Sequence, residues 1–148
     1  YRPEAEAFDA AFCVCEGAFC LLGHDDDPLD HDLKILKNIA HGLKPGAPFL
    51  LTALCAFRSI RGVKEEDASQ EIFDPLTLVN TITFEIKTKD GPRTVTTRER
   101  HYVPTELALL CRMAGLTVEH IGGGTAGNWA RRPVDLDEME LMLIARKQ

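Results

Sequence analysis

The sequence predicts an α/β domain that combines a mostly parallel sheet with an inserted antiparallel β-hairpin. Two apolar runs, at residues 8–15 and 49–55, flank a stretch with helical periodicity, and strands joined through a helix pair in parallel. Further along, Asp90-Gly91 separates two segments rich in threonine, valine and isoleucine, which indicates a hairpin. With 45% hydrophobic and 27% charged residues, residues 1–148 suit a single soluble domain.

The first apolar run, residues 8–15, is almost continuous, as is typical of a strand buried on both faces of a parallel sheet. In the helix that follows, Asp27 suits the cap position and Pro28 suits the first turn. Apolar residues at spacings of three and four then predict one buried stripe, formed by Leu29, Leu33, Leu36, Ala40 and Leu43. Pro45-Gly46 ends this helix before the second strand, at residues 49–55.

The segment 76–102 is predicted to be an inserted hairpin that covers the domain, with one strand on each side of Asp90-Gly91. Ile82, Phe84 and Ile86 alternate with polar residues. Because alternate residues of a strand point to opposite faces, one face of the hairpin is expected to pack and the other to face solvent.

The rest of the chain predicts a helix and two further strands. A helix at residues 104–114 is stopped by Gly115, which suits the left-handed conformation that follows a helix. A strand at 116–121, a loop at 122–137 and a last strand at 139–145 complete the domain.

Composition argues against several classes of partner. The net charge of −6 disfavours nucleic acid, because binding to phosphates relies on clustered Lys and Arg. No run of about 18 apolar residues and no signal-like start occurs, so we predict a cytoplasmic protein with no membrane contact. The five cysteines form no C-x-x-C pair and suit buried thiols in a reducing compartment. The chain starts at Tyr1 rather than at Met, which predicts that an upstream part is missing.

Three motifs follow one another along the chain. Residues 8–12 form a strand that opens with Phe-Asp, and residues 16–19 form the loop after it. Residues 43–51 lead through Lys-Pro-Gly into the next strand. Residues 100–107 introduce a helix, which at residues 113–118 turns through Gly into another strand. In this order and spacing, the motifs resemble the second half of the class I, Rossmann-like S-adenosylmethionine-dependent methyltransferases. The resemblance implies a partial Rossmann-like sheet, mostly parallel, with the last strand antiparallel.

The chain also departs from the family pattern. Ala47 stands where a second Gly is usual, and Val103 replaces the helix-capping Thr or Ser. The amino-terminal half of the family, with its Gly-rich turn and the acidic residue that holds the ribose, has no counterpart here. The resemblance therefore implies a truncated methyltransferase whose cofactor is S-adenosylmethionine but whose main cofactor motif lies outside this chain. Alone, the chain is expected to be inactive.

By the same resemblance, the strand at residues 8–15 is an edge of the sheet, and the last strand lies between the family's fifth and sixth strands. An apolar edge strand with unpaired backbone groups favours association. We therefore expect a homodimer that forms through this edge.

The resemblance also implies where ligands bind. The loop after the first strand lies at the carboxyl end of the sheet, where such folds bind ligands. Glu16 is the candidate catalytic base, and Cys15 and Glu16 are the candidate cofactor contacts. The candidate contacts with a small-molecule substrate are Phe19, Phe57, Arg58, Tyr102 and Trp129. The alternative is that Glu16 is only solvated and that Phe19 belongs to the core.

Two further patterns have simpler explanations than a binding site. Residues 122–127 match G-x-G-x-x-G, but a dinucleotide site needs a helix directly after the motif. The residues that follow include Pro133 and show no apolar stripe, so we predict a flexible loop.

Residues 24–32 are rich in Asp and His. Because helix capping and the helix dipole account for Asp27 and Asp30, no metal site is predicted.

Two functions other than methyl transfer stay open. The chain suits a non-catalytic α/β scaffold for self-association or for binding a ligand or partner. It also suits a ligand-binding module in which the hairpin closes over a pocket formed by Phe19, Phe57 and Trp129. A Gly-rich strand-turn-helix upstream in the reading frame would favour the enzyme over both alternatives.

Overall fold

The computed structural model describes residues 2–15, 17–66, 72–129 and 131–148. Within these ranges the chain forms two four-stranded sheets and several helices. The strands are β1 (Ala11–Cys13), β2 (Leu21–Leu22), β3 (Pro48–Leu54), β4 (Phe73–Asp74), β5 (Val79–Thr88), β6 (Gly91–Arg100), β7 (Leu116–Gly123) and β8 (Glu140–Lys147). The helices are α1 (His31–Gly42), α2 (Ala56–Gly62) and α3 (Pro104–Met113).

The first sheet has the strand order β1-β3-β8-β7. β1 pairs with β3 in parallel, whereas β8 runs antiparallel to both of its neighbours. Strands β1, β3 and β7 therefore point the same way and β8 opposes them, which is the arrangement expected for the last strand. β7 extends beyond the predicted residue 121, because Gly122 and Gly123 continue the pairing with Met142 and Leu141.

The strand expected at residues 8–15 is shorter in the structure. Phe8 forms an isolated bridge with Leu43, and regular pairing covers Ala11–Cys13. Cys15 has a φ of +53°, a left-handed conformation that turns the chain away from the strand. Among the described residues β1 pairs with β3 alone, so it forms an edge of the sheet, as expected.

Helices α1 and α3 lie beside each other and pack on the first sheet. Leu36 and Ala40 of α1 meet Leu107 of α3 in one core. The sheet contributes Phe49, Leu51, Leu141 and Leu143 to the same core. Burial of this many aliphatic and aromatic side chains provides the main driving force for folding.

Helix α1 begins three residues later than Pro28, at His31. The Asp27 carboxylate accepts hydrogen bonds from the Leu29 and Asp30 amides, at 2.8 and 2.9 Å, so it stabilises a turn ahead of the helix instead of capping the helix itself. Leu29 consequently lies outside the apolar stripe and is exposed, which corrects the predicted stripe at this position.

The predicted hairpin is present, with Phe84 opposite Val95 and a turn that places Gly91 at a φ of +110°. It belongs to a second sheet, of strand order β2-β6-β5-β4, in which every pair is antiparallel. The two short outer strands had not been predicted, because two-residue strands leave no detectable periodicity in a sequence.

The expectation that one face of the hairpin packs is wrong for its outer half. Ile82, Phe84 and Ile86 are all exposed. The reason is the length of the outer strands, because β2 and β4 pair only with the base of the hairpin, at Arg98 to Glu99 and Val79 to Asn80. The distal half of β5 and β6 therefore extends beyond the rest of the second sheet.

No helix in the described part of the chain is long and apolar enough to cross a membrane.

Candidate functional site

A cavity of about 480 Å³ lies between the two sheets, at the carboxyl end of β3. Its apolar lining includes Leu54, Val63, Ile72, Phe73 and Met139. Its polar lining includes Arg58, Ser59, Asn80, Glu99 and His101. Small-molecule sites typically measure about 300–1,000 Å³ and combine apolar walls with a few polar groups. The cavity therefore has the size and chemistry of a site for a small organic molecule.

Backbone hydrogen bonds hold the walls of the cavity together where β3 ends. The Tyr102 amide donates to the Leu54 carbonyl at 2.8 Å, and the Ala56 amide donates to the Tyr102 carbonyl at 2.9 Å. The Cys55 amide donates to the Met139 carbonyl at 2.9 Å. These bonds join the end of β3, the residue after the hairpin and the segment before β8. Helix α2 starts directly after this junction, and its residues Arg58, Ser59 and Gly62 line the cavity.

Ser59 of α2 and His101 after β6 are the closest polar pair in the cavity wall. The Ser59 Oγ atom lies 2.7 Å from the His101 Nδ1 atom. His101 is 8% exposed, and its Nε2 atom is buried without a hydrogen-bond partner among the described residues. Burial lowers the pKa of His101, and a hydrogen bond with the Cys55 backbone raises the pKa again in part. The imidazole is therefore neutral at pH 7, and a neutral imidazole can accept a proton.

A buried polar network lies next to this cavity wall. The Tyr102 hydroxyl donates to the Asp32 carboxylate at 2.6 Å and accepts from Arg100 Nη1 at 2.9 Å. Arg100 Nη2 donates to the Glu106 carboxylate at 2.5 Å. Burial, followed by the nearby Asp32 charge, raises the pKa of Tyr102. Tyr102 therefore stays protonated and links α1, the end of the hairpin and α3.

The structure separates the predicted substrate contacts into two groups. Arg58 lines the cavity, and Phe57 beside it is half-buried against the core. Phe19 and Tyr102 are 0% exposed, and their rings stack at 5.3 Å. Both of these rings lie in the core and neither is part of the cavity lining. The pocket expected between Phe19, Phe57 and Trp129 is therefore a different place from this cavity, whose lining includes none of the three.

The remaining predicted site residues lie away from the cavity lining. Cys15 is exposed at the end of β1, and its amide donates to Thr52 Oγ1 at 2.9 Å. Trp129 is partly exposed in the loop after β7. Glu16, the candidate catalytic base and cofactor contact, lies outside the described residues, so its role stays a prediction.

Sequence reasoning missed Ser59, Asn80, Glu99 and His101, all of which line the cavity. One signal was available for two of them. Ser59 comes soon after the second predicted strand and His101 lies at the end of the predicted hairpin, and polar residues near the ends of strands often reach a shared edge of a sheet. Nothing local in the sequence links these two segments.

The glycine motif at residues 122–127 encloses an ion pair and does not form an anion-binding turn. The Thr125 and Ala126 amides donate to the carboxylates of Glu138 and Glu140, at 3.1 and 3.2 Å. Phosphate sites need such amides to be unoccupied and to point at the anion. No helix occurs between residues 124 and 129. A Cβ atom on Gly123 would overlap Arg132 and Glu138, which explains the glycine by packing.

The acidic segment at residues 24–32 is organised by hydrogen bonds within the protein. The Asp26 carboxylate accepts from the Gly23 amide at 2.7 Å. His31 Nδ1 lies 2.8 Å from Asp32, and its Nε2 lies 3.6 Å from Asp26. In the ranges that the structure describes, no group of three or more His, Cys, Asp or Glu side chains is placed to hold a metal ion.

Comparisons with known proteins give structural matches only. No model of a known protein family matches the chain, and no curated protein matches its sequence. Among solved structures, the CcbJ methyltransferase of Streptomyces caelestis matches with a TM-score of 0.67 at 18% identity, over 97% of this chain and 62% of its own. An S-adenosylmethionine-dependent methyltransferase of Clostridium acetobutylicum matches with a TM-score of 0.60 at 13% identity, over 99% of this chain and 59% of its own.

A third match was solved with ligands. It is the 1,6-didemethyltoxoflavin-N1-methyltransferase of Burkholderia thailandensis, which holds 1,6-didemethyltoxoflavin and S-adenosylhomocysteine. The TM-score is 0.50 at 16% identity, over 97% of this chain and 45% of that protein. In all three comparisons nearly the whole of this chain is matched, whereas it spans about half to three fifths of the other protein. The chain therefore has a partial S-adenosylmethionine-dependent methyltransferase fold.

Proposed function

We propose that this chain is the acceptor-binding part of an S-adenosylmethionine-dependent methyltransferase that acts on a small molecule. The observation that carries the proposal is the match of 97–99% of the chain to methyltransferases of three bacteria. Because one fold can serve several chemistries, the cavity at the carboxyl end of β3 provides the second support. Open α/β sheets bind their ligands at this end.

The cavity lining suits an acceptor that is mostly apolar but carries a polar group. Phe73 and Met139 offer apolar contact, while Arg58, Ser59 and His101 offer hydrogen bonds. A methyl group bound to a sulfonium is the electrophile that S-adenosylmethionine supplies. The role of this chain is to hold the acceptor in line with that methyl group and to exclude water. Both effects contribute strongly to the rate of a displacement reaction.

Among the described residues, Cys15 is the one that we propose as a contact with the cofactor. Cys15 at the end of β1 is exposed and its backbone is turned by a φ of +53°, which suits contact with a ligand at this edge. The glycine motif is unsuited to the cofactor, because carboxylates already occupy its amides. We propose that most of the cofactor contacts belong to the part of the methyltransferase fold that this chain does not span.

The test compares two proteins, the 148-residue chain and the complete product, which is the protein encoded by the complete reading frame. Two measurements are made on each. The first is calorimetric titration with S-adenosylhomocysteine, and the second is transfer of radiolabelled methyl groups from S-adenosylmethionine to extracts of small molecules. Binding and transfer by the complete product, with weaker or no binding by the chain, is the expected result. The proposal fails if the complete product neither binds S-adenosylhomocysteine nor transfers methyl groups.

A second candidate is a non-catalytic scaffold that associates with itself, and one observation favours it. Phe12 of the β1 edge is 77% exposed, and Phe8 beside it is 48% exposed. Among the described residues β1 pairs on one side only, and such an edge can add a strand from another molecule. A homodimer through this edge is compatible with either function.

A further inference from the structure

The cavity wall contains a close pair of polar side chains, Ser59 and His101, that has no role so far in the proposed function. Ser59 and His101 are 42 positions apart in the chain, yet Ser59 Oγ and His101 Nδ1 lie 2.7 Å apart, and both residues line the cavity. Ser59 is half-buried, so its hydroxyl borders the cavity, while His101 is more than nine-tenths buried. The opposite ring nitrogen, Nε2, has no hydrogen-bond partner among the described residues.

We propose that Ser59 and His101 form the proton-accepting pair of the cavity, which binds and deprotonates the hydroxyl of a small, mostly apolar acceptor. The proposal rests on the proposed methyl transfer for its purpose. The acceptor O–H donates to Ser59 Oγ, and Ser59 hands its own proton to His101 Nδ1. The O–H bond of the acceptor breaks, an N–H bond forms on the imidazole, and the serine hydroxyl is regenerated. The acceptor keeps the electron pair with which it attacks the sulfonium-bound methyl group.

The charge states of the cavity residues are compatible with this proton transfer. Burial keeps His101 neutral before the reaction, as its lowered pKa indicates. Among the described residues, the other titratable groups that line the cavity are Cys55, Arg58 and Glu99. Burial raises the pKa of Cys55, so the thiol is neutral. The positive charge of Arg58, which lines the same cavity, suits the anionic form of an acceptor.

The apolar part of the lining narrows the class of acceptor. Phe73 is buried at the base of the hairpin, and Ile72 and Met139 lie at the same cavity. Walls of this kind favour an aromatic or aliphatic ring over a sugar or a phosphate ester. A phenolic hydroxyl on such a ring would meet Ser59 as its polar partner.

The first measurement is the tautomer of His101. Long-range ¹⁵N NMR on the histidine-labelled chain reports which ring nitrogen holds the proton. The proposal requires an unprotonated Nδ1 that accepts from Ser59, with the proton on Nε2. A proton on Nδ1 in the neutral ring would overturn the proposal, because Ser59 would then be unable to transfer its proton to His101.

The second measurement compares phenol with anisole, two rings that differ in their ability to donate a proton. NMR shift mapping on the 148-residue chain is expected to place both probes beside Met139, with phenol bound more tightly. Ser59→Ala is expected to weaken phenol binding about three- to tenfold, the usual effect of one hydrogen bond, and to leave anisole unchanged. Thr94→Ala, which removes a hydroxyl from the exposed hairpin, is the matched control. Equal binding of the two probes, or no effect of Ser59→Ala on phenol, would overturn the proposal.

These outcomes are distinguishable from a failure of the proposed function, because neither measurement needs the cofactor. If phenol binding depends on Ser59 while the complete product transfers no methyl group, the methyltransferase proposal fails and the cavity pair remains. If methyl transfer occurs but Ser59→Ala and His101→Gln leave kcat and its pH profile unchanged, the pair is only structural.

Discussion

At the scale of single residues, Arg100 holds the polar interior together. Its guanidinium donates to the Pro28 carbonyl, the Tyr102 hydroxyl and the Glu106 carboxylate, and it lies 4.6 Å from the centre of the Tyr102 ring. A buried charge is tolerated when it is paired and hydrogen-bonded in this way. The network therefore sets the position of Tyr102, and through its backbone the position of the neighbouring His101.

Glu138 provides a prediction about the pH dependence of stability. It is 3% exposed and accepts two hydrogen bonds from Arg132, at 2.5 and 2.7 Å. Arg132 is the main reason that the pKa of Glu138 falls from its ordinary value of 4.5 to about 2. Because the folded pKa is lowered, the carboxylate stabilises the protein above pH 4.5, and this contribution is lost as the pH falls towards 2.

The expected contribution is about 3 kcal/mol at pH 6, of which about 2 kcal/mol is lost by pH 3. Urea unfolding of wild type and Glu138→Gln at both pH values measures it. The difference in unfolding free energy between the two proteins is expected to be smaller at pH 3. Glu119→Gln, which removes an exposed ion pair with Arg146, is the control and should cost less than about 1 kcal/mol. A Glu138→Gln effect that does not change with pH would contradict the assignment.

At the scale of elements, the end of β7 shows how a glycine motif is used for packing. Gly122 and Gly123 are both paired with β8, and the Gly124 amide donates to the Glu140 carbonyl at 2.9 Å. The chain then returns so that Arg132 lies across the strand. Only residues without a side chain allow this close approach.

Gly123→Ala should therefore destabilise the fold. The new methyl group would displace the Arg132 and Glu138 side chains, and overpacking of this kind costs about 1–3 kcal/mol. Gly62→Ala is the control, because a Cβ at Gly62 meets no atom within 4 Å. Thermal unfolding followed by circular dichroism measures both variants. Similar melting temperatures for Gly123→Ala and wild type would show that the loop moves aside without cost.

The hairpin is the other element whose role depends on its surroundings. At its base, Asn80, Glu99 and His101 form part of the cavity wall. Its outer half carries Ile82, Phe84 and Ile86 in exposed positions. The same two strands therefore form part of the candidate site at one end and an uncovered apolar surface at the other.

At the scale of the whole molecule, the β1 edge leads to a prediction about association. We expect the 148-residue chain to form a homodimer at high micromolar concentration, because the edge has exposed apolar side chains and, among the described residues, pairs with another strand on one side only. Sedimentation equilibrium measures the association. Phe12→Lys is expected to shift the chain towards monomer, since a charge opposes strand pairing, whereas Leu76→Lys, at a 91% exposed residue away from β1, should not. A monomeric wild-type chain would contradict the prediction.

Local patterns in the sequence determined much of the outline of this protein. Apolar periodicity, Pro45-Gly46, Asp90-Gly91 and Gly115 predicted the four strands of the first sheet, α1, the hairpin and α3, because these signals act within a few residues of the element that they shape. The order of the three motifs predicted the partial methyltransferase fold. The antiparallel insertion of the last strand followed from that resemblance.

Only the tertiary structure decided the site. It brought Ser59 to His101 across 42 positions, placed Phe19 and Tyr102 in the core, added β2 and β4 to the hairpin, and filled the glycine motif with carboxylates. Each of these outcomes depends on how elements that are distant in the chain come to lie against one another. Local periodicity and capping specify an element but not its neighbours, so contacts between distant elements are fixed only when the chain packs.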